Sequence, residues 1–526
     1  MNFLFIEPIM EINLGLAYLS AVLLEHGHRV HVICGDRRIE RINSKIEEFD
    51  PQVIGLSLLI APKKVEDLAR GIIKKKETLL ICGGPQMSVE GRNFIEKNPC
   101  FDFGVVGEAE EAILEIVDFV DGNKELKEIK GIIGRDNGVL FETEQREFLG
   151  NLDNLPFPAY NVFDIFANGM SEYGMITSRG CPYRCTYCNG PLVSGRKWRY
   201  RSVESVVEEF ARAKSLYDLK CVNILDDNFT FHLERAKDIC RGIIDSGLDL
   251  KWRLPNGIRA DKVDDELAGL MREAGCRVAR VGIESGSPEV FESLKKGEKL
   301  EDVERGLRIL NKNGIKTHGS FIIGLPGSNY EKDLQSIEFA KQLQISTAAF
   351  HIFCPLNKTE AHEMTYEQDG IRILQAGTEG TATYWGGRPP FDTEEYPEKD
   401  RIKAYMKGNL RFNDYAFTRR IAKSNFGMNR LVILAKAIVL YDPVYIPIHI
   451  FRLTKKLFLS VFEKLSRKNR NGVHAARNGG GEPLYAYVGN SIDVDKSISL
   501  SKNDSKQDHF MVTEAIGSLK DRGNTK

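Results

Sequence analysis

Ten cysteines in 526 residues are too few for a disulfide scaffold, so a reduced, intracellular setting is expected. Neither sign of charge predominates: 73 Lys and Arg stand against 74 Asp and Glu, a net charge of -1. A global nucleic-acid footprint would need a basic excess on at least one domain, so no nucleic-acid partner is expected. No uninterrupted apolar run of about 20 residues occurs, which argues against a transmembrane helix. The richest stretch, Met428 to Val461, is broken by Asp442-Pro443 and by Pro447. The opening MNFLFIEPIMEIN has no charged n-region or small-residue cleavage site, so no secretory signal is expected and the location reads as cytoplasmic. With 42% hydrophobic and 28% charged residues the chain is ordinary for a soluble globular protein. Its length suggests about three domains.

The fold class is α/β. Over residues 1–145, short apolar runs alternate with amphipathic stretches. Asn2 to Ile6, Arg29 to Cys34, Val53 to Leu59, Thr78 to Cys82 and Phe101 to Val106 read as five strands. Their continuous apolar character predicts a sheet covered on both faces. A βαβα series of this kind predicts a doubly wound parallel sheet. Gly134 to Gly138, with its Asn-Gly pair, predicts a hairpin. Residues 146–171, containing NLDNLPFP, read as a linker.

A second alternating series fills 172–355. Strands are expected near Tyr173 to Thr177, Cys221 to Leu225, Leu250 to Leu254, Val278 to Ile283, Thr317 to Ile323 and Ala348 to Phe353. Helical patterns lie between them. Six βα units fall short of a closed eight-stranded barrel and predict a partial one. Residues 356–470 lose the alternation and read as mainly helical, and 471–526 as a disordered tail rich in Gly, Asn, Ser and Lys. Phe451 to Asn478 holds eight Lys and Arg against one Glu, and a basic segment after an apolar stretch can lie on an anionic lipid surface.

The scarce cysteines are unevenly spread. Cys181, Cys185 and Cys188 form a C-x3-C-x2-C triad directly after the first strand of the second series. Thiolates select zinc, copper or iron–sulfur clusters. A structural zinc would want a fourth nearby ligand, yet Cys221 and His232 are more than 30 residues away. Three thiolates on a four-iron cluster would leave one iron open, which is a catalytic feature. Cys221, Cys240 and Cys276 read as small buried apolar residues, whereas Cys354 ends a strand where it could face substrate.

This triad, with Tyr187 before its last cysteine, on the loop after the first strand of a partial barrel, resembles the radical S-adenosylmethionine (SAM) superfamily over roughly residues 172 to 355. The resemblance implies a 4Fe-4S cluster held by Cys181, Cys185 and Cys188, with SAM on the open iron and Tyr187 beside the adenine. Val281-Gly-Ile-Glu-Ser-Gly286 matches the family pattern, which implies SAM contacts from Glu284 and, with it, Arg259. Asp226 and Asp227 stand where the family often has Gly-Gly-Glu, so a SAM contact is expected there too. Competing readings are a structural pair of Glu284 with Arg259 or Arg280, and helix capping by Asp226 and Asp227.

No GxGxxG follows the first strand, so a dinucleotide site is disfavoured. Leu14 to His28, Gly83-Gly84-Pro85 and Val106-Gly-Glu-Ala-Glu110 are similar to the cobalamin-binding domain fused to many radical SAM proteins. The Asp-x-His-x-x-Gly cobalt-ligand motif is absent, which implies a cobalamin without a histidine on its lower face. Ser57, Gly83, Gly84 and Gly107 would line it; the competing reading is tight strand–helix turns alone. The whole resemblance implies an enzyme that methylates an unactivated carbon of a small-molecule or lipid substrate with a 5′-deoxyadenosyl radical and methylcobalamin. An external electron donor such as flavodoxin or ferredoxin is implied with it. Alternatives are an oxidative cyclase of the anaerobic magnesium-protoporphyrin type, a methylthiotransferase (whose second cysteine triad is lacking) and a non-catalytic cobalamin sensor.

Overall fold

Unbroken apolar runs build the centre of the first sheet. The computed structural model describes residues 1–8, 13–58, 62–167, 169–367, 370–374 and 389–412, all within one contact-defined unit, Met1–Gly480. Strands β1 (Asn2–Glu7), β2 (Arg29–Cys34), β3 (Val53–Ser57), β4 (Leu79–Gly83) and β5 (Phe103–Val105) run parallel in the order β2-β1-β3-β4-β5. Helices α1 (Leu14–Glu25), α2 (Ile39–Phe49), α3 (Pro62–Gly71), α4 (Pro85–Glu90), α5 (Arg92–Lys97) and α6 (Ala112–Val120) connect them. On one face Phe3, Phe5 and Val32 pack with Leu16 and Leu23 of α1 and Ile116 of α6. On the other, Leu4, Ile6 and Ile54 pack with Ile42 and Ile46 of α2 and Leu68 of α3. Two covered faces are why these strands carry no polar alternation. The connection reverses direction between β1 and β3, so the crevice outside their carboxyl ends is the place where such sheets bind ligands.

The Asn-Gly hairpin forms as β6 (Ile132–Asp136) and β7 (Val139–Glu142), with Asn137 and Gly138 both at positive φ, 49° and 83°. It does not stand apart. β6 pairs antiparallel with β5, so the sheet is mixed, with seven strands. Register along Ile132–Gly134 explains this, since burying Ile132 and Ile133 requires a neighbour that the local pattern does not identify.

The 146–171 segment is more ordered than its lack of periodicity suggests. Tyr160 and Phe163 are buried; the Tyr160 hydroxyl donates to Gly174 O at 2.9 Å, and Ala159 N donates to Ala17 O at 3.0 Å. The segment thus ties α1 to the first strand of the second sheet.

That sheet contains β8 (Glu172–Met175), β11 (Cys221–Ile224), β12 (Trp252–Ile258), β13 (Cys276–Glu284), β14 (Lys316–Ile323) and β15 (Thr347–Ile352). All pair in parallel in the order β15-β14-β13-β12-β11-β8. A separate two-stranded ribbon, β9 (Ser178–Arg179) with β10 (Arg199–Tyr200), brackets the cysteine loop and α7 (Gly190–Ser194). Helices α8 (Val203–Leu216), α9 (Leu233–Asp245), α10 (Asp265–Glu273), α11 (Pro288–Ser293), α12 (Leu300–Lys312) and α13 (Tyr330–Gln342) complete the units. Side-chain caps from Ser202, Asp264 and Asn329 start three of them. One sheet face packs on the helices: Val281, Ile283, Phe321 and Phe350 meet Val303, Leu307, Ile337 and Ala340. The other therefore lines the inside of the partial barrel.

Beyond β15 come α14 (Glu360–Tyr366) and α15 (Glu398–Phe412). Asn409 of α15 brackets the Phe350 backbone, accepting from its N at 3.2 Å and donating to its O at 2.8 Å. Most of the expected helical region to residue 470, the basic segment and the 471–526 tail lie outside the described residues. Among the described residues no helix is long and apolar enough to cross a membrane.

Candidate cofactor and substrate site

The cysteine loop leaves β9 through Gly180, whose φ is 88° and whose position would bring a Cβ within 2.4 Å of Lys197 O, so only glycine fits. Cys181 N donates to Gly195 O at 3.1 Å and Thr186 N to Leu294 O at 3.0 Å, fixing the loop at both ends. Burial pushes the Cys181 and Cys185 thiols above their ordinary range, so their thiolate forms call for a nearby cationic centre. Among the described residues, no three His, Cys, Asp or Glu side chains converge as on one metal ion. Thiolates that each bind a different iron of a cluster need no such convergence, and the donor set fits that group. Neither distant candidate completes a tetrahedron. Cys221 begins β11, at the opposite edge of the sheet, and the His232 ring caps α9 by accepting from Arg235 N at 3.2 Å.

Asp226 and Asp227, expected to contact SAM, are engaged with the strand and turn before the cysteine loop. The Asp226 carboxylate is buried and accepts from Thr177 N at 2.6 Å, Thr177 Oγ1 at 2.5 Å and Ser178 Oγ at 2.7 Å. Asp227 accepts from Gly180 N at 3.0 Å and shares a hydrogen bond with Ser194. Neither caps a helix; both hold the strand and turn that lead into the loop. Arg259, expected to contact SAM together with Glu284, is likewise engaged within the protein. Its guanidinium is taken up by Asp261 (3.0 Å), Glu298 (3.2 Å) and Gly297 O (3.0 Å), and lies 3.8 Å over the Tyr183 ring. It braces the loop from below.

Glu284 ends β13 after a register shift, with φ at 66°, a left-handed value that is strained outside glycine. Its carboxylate accepts from the Tyr187 hydroxyl at 3.0 Å and lies 3.6 Å from Lys296 Nζ. The expected arginine partners are thus replaced by Lys296, which also donates to Gly282 O and sits 3.4 Å from Glu298. Gly282 makes room: a Cβ there would stand 2.5 Å from Glu284 Oε1. Cys354 follows β15 at the same end of the sheet, half-buried, beside Phe353.

The barrel interior is polar in a way the sequence reading did not single out. Arg280 and His318 are register partners across β13 and β14, and Ser320 and His351 share their face. His318 Nδ1 pairs with Thr347 Oγ1 at 2.7 Å, while His318 Nε2 and Ser320 Oγ are buried without a partner. The signal was available: in KTHGSFII, polar residues occupy alternate positions of one strand. Burial and the Arg280 charge lower the His318 pKa to about 3 and that of His351 to about 4. The unfolded chain, with both near 6.5, binds more protons between those values, so stability is complete above about pH 6.5 and declines as pH falls. Each histidine contributes a slope of at most about 1.4 kcal/mol per pH unit. Denaturant titrations at pH 7 and pH 5 should show His318→Asn losing distinctly less stability than the unaltered chain; equal losses would refute this assignment.

At the carboxyl edge of the first sheet, Ser57 Oγ accepts from Asn13 Nδ2 at 2.7 Å. Asn13 also caps α1 through Leu16 N (3.0 Å) and donates to the buried Glu7 carboxylate. Glu7 and Asn13 were missed, although a charge closing an apolar strand and an Asn before a helix are both visible signals. Gly84 (φ 99°) and Gly107 (φ 81°) need their backbone freedom, whereas a Cβ on Gly83 would meet nothing closer than 3.7 Å. The domain's three histidines are elsewhere: His26 closes α1, His28 precedes β2, and His31 is that strand's third residue. A polar, glycine-rooted edge without histidine fits a cobalamin held without a protein imidazole.

The two edges are joined by a buried ion-pair cluster. Arg179, two residues before Cys181, meets Glu110 at 2.6 Å and Glu108 at 3.0 Å, and Arg199 meets Glu108 at 2.8 Å. Glu108 follows Gly107 directly and Glu110 lies two residues further on, so the glycine turn of the first sheet grips the root of the cysteine loop.

Comparison with known proteins agrees with this arrangement. Residues 175–340 match the family model described as the radical SAM superfamily, and residues 10–117 match the B12 binding domain. An uncharacterised methyltransferase of Pyrococcus horikoshii is 34% identical over 360 residues, covering 66% of this chain and 77% of that protein. Cytidylyl-2-hydroxyethylphosphonate methyltransferase of Streptomyces wedmorensis is 27% identical over 444 residues, 68% of this chain and 82% of the relative. The structure of the radical SAM methyltransferase TsrM from Kitasatospora setae, with cobalamin and a [4Fe-4S] cluster bound, shares the fold at TM-score 0.64 and 16% identity. That match covers 83% of this chain and 98% of TsrM.

Proposed function

This chain is an enzyme of the radical SAM superfamily that carries a B12-binding domain, and from that premise we propose that it methylates an unactivated carbon of a small polar molecule. The observation that carries the proposal is the Glu108–Arg179–Glu110 junction, which fastens the root of the cysteine loop to the glycine turn of the B12-binding domain. When bound, the 4Fe-4S cluster with SAM supplies a 5′-deoxyadenosyl radical, and cobalamin supplies a transferable methyl group. The protein orients these groups and excludes water.

Cys181, Cys185 and Cys188 would hold the cluster. Glu284, its carboxylate held in place by Tyr187 and Lys296, offers acceptor oxygens for the SAM amino group. Tyr187 packs against the cluster of Val290, Leu294 and Phe353, an apolar wall suited to an adenine ring. Ser57, Gly84, Gly107 and Asn13 would line the cobalamin, with Gly83 following them along the edge. Cys354, at the open end of the barrel, would face the substrate.

The interior favours a polar substrate over a lipid. Arg280, His318, Ser320 and His351 place charged and hydrogen-bonding groups on one face of β13, β14 and β15, a lining that suits a polar substrate better than an alkyl chain. The test supplies the reconstituted full chain, under anaerobic conditions, with methyl-deuterated SAM, a low-potential reductant and a fractionated metabolite extract. A polar metabolite acquiring the labelled methyl supports the proposal. Label confined to the lipid fraction refutes the substrate class, and an oxidised, unlabelled product places the chain with the cyclases.

A further inference from the structure

Parallel register builds the inner face of β13, β14 and β15 in layers. Ala279, Val281 and Ile283 turn toward the helices, so alternation puts Arg280 on the inner face. Arg280, His318 and Thr347 are partners across the three strands. Gly282, Ser320 and Ala349 form the next layer toward the carboxyl ends. That layer carries nothing larger than a serine side chain, so the strands do not wall the first layer off from the cysteine loop. Glu284 shares this face, because a Cβ on Gly282 would meet its Oε1 at 2.5 Å. It lies about 13 Å beyond Arg280 along the strand.

The chemistry of these layers is one-sided. Thr347 Oγ1 engages His318 Nδ1 at 2.7 Å, which leaves Nε2 as the ring nitrogen for a ligand. Neither Nε2 nor Ser320 Oγ has a hydrogen-bond partner among the described residues. Burial and the Arg280 charge hold His318 and His351 neutral, and no described carboxylate offsets that charge at either ring. Two carboxylates of the same sheet are engaged elsewhere: Glu172 with Arg253 at 2.6 Å, and Glu284 with Tyr187 and Lys296. A permanent positive charge beside neutral hydrogen-bond donors, away from bulk water, is complementary to an anion.

We propose that Arg280, His318 and Ser320 bind an acidic group of the substrate, a carboxylate or a phosphate, deep in the partial barrel. This rests on the methyltransferase reading above and names the substrate class within it. The guanidinium offers forked N–H donors to the anion, and His318 Nε2 and the Ser320 hydroxyl add one donor each. Nε2 donates only when it carries the ring proton, so the bound anion selects that tautomer, with the Thr347 hydroxyl donating to Nδ1. A molecule held this way extends along β13, and its other end lies toward Glu284 and the cysteine loop. The acid group is thus a handle, remote from the carbon that is methylated. It distinguishes the substrate from its amide or ester, which present no charge to Arg280.

The test reads binding rather than turnover, by NMR of the full chain with isotope-labelled histidine rings at pH 7. The probes are acetate and inorganic phosphate, with acetamide as the neutral counterpart of acetate. The His318 signal is identified by its loss in His318→Asn. Acetate or phosphate should shift that signal saturably, and acetamide at the same concentration should not. Arg280→Gln should weaken the anion's binding by about tenfold or more, with the remaining histidine signals unmoved as the check on folding. Arg280→Lys should fall between, since it keeps the charge and loses the fork. Saturation by acetate alone supports a carboxylate substrate, and by phosphate alone a phosphorylated one. No saturable shift with either anion, an equal shift with acetamide, or an undiminished response in folded Arg280→Gln overturns the site. A labelled methyl found on a neutral metabolite, in the extract experiment above, overturns its assignment to the substrate. Absence of any labelled product instead overturns the methyltransferase reading, whatever the anions do.

Discussion

Cys185→Ala protein, reconstituted anaerobically with iron and sulfide, is expected to form 5′-deoxyadenosine no faster than the background without enzyme. Each thiolate of the triad would hold a separate iron, so losing one would leave an incomplete set on a loop that offers no substitute. The distant candidates are committed elsewhere: His232 caps α9, and Cys221 lies at the amino-terminal edge of the sheet. The loss should exceed the roughly 10–100-fold that removal of an outer-sphere partner costs a metal site. Folding should survive, because Cys185 is half-buried on a loop held by backbone hydrogen bonds at Cys181 and Thr186. Cys240→Ala and Cys276→Ala provide the contrast. Both sit in the apolar core, where truncation lowers stability while leaving SAM cleavage intact. If Cys185→Ala cleaves SAM normally, or Cys240→Ala abolishes cleavage in folded protein, the cluster assignment fails.

Arg179→Met is expected to have the second-largest effect, and on two different observables. It leaves Glu110 without its cation and Glu108 with Arg199 alone, their side chains 7% and 9% exposed. Breaking a buried pair from one side costs about 3–5 kcal/mol, because the remaining charge stays desolvated. Denaturant unfolding reads this directly. The second observable is coupling: with the junction loosened, 5′-deoxyadenosine should still form while methyl transfer falls by a larger factor. Arg179→Lys should recover little, since an ammonium lacks the forked geometry that reaches two carboxylates at once. Removing both sides, as Arg179→Met with Glu110→Gln, should restore part of the stability and little of the coupling. Equal losses of cleavage and methyl transfer would mean that Arg179 serves folding alone.

The sequence shows what is local. Apolar runs covered on both faces revealed the first sheet's strands, and Tyr330 to Gln344 was legible as a helix that forms over Tyr330–Gln342. The triad stood out because three scarce residues fall within eight positions. Glu284 was legible through its glycine neighbours, which proved to be making room for its carboxylate. Direction and distance were not legible. Asp226, Asp227 and Arg259 lie at strand ends as expected, yet each side chain turns toward the loop's own framework, because buried backbone donors there need acceptors. The Glu110–Arg179 pair spans 69 positions and two sheets, and no local pattern marks it. Lys296, the partner Glu284 acquired, arrives from a loop whose path only the packing of α11 determines.

The central claim is that one chain brings radical-generating and methyl-donating cofactors to a single site. Its most direct test supplies the anaerobically reconstituted full chain with SAM and a low-potential reductant, with and without cobalamin, and measures both SAM-derived products. The account predicts 5′-deoxyadenosine in either case and S-adenosylhomocysteine only when cobalamin is present. S-adenosylhomocysteine forming equally without cobalamin, or 5′-deoxyadenosine forming alone with cobalamin bound, would contradict it.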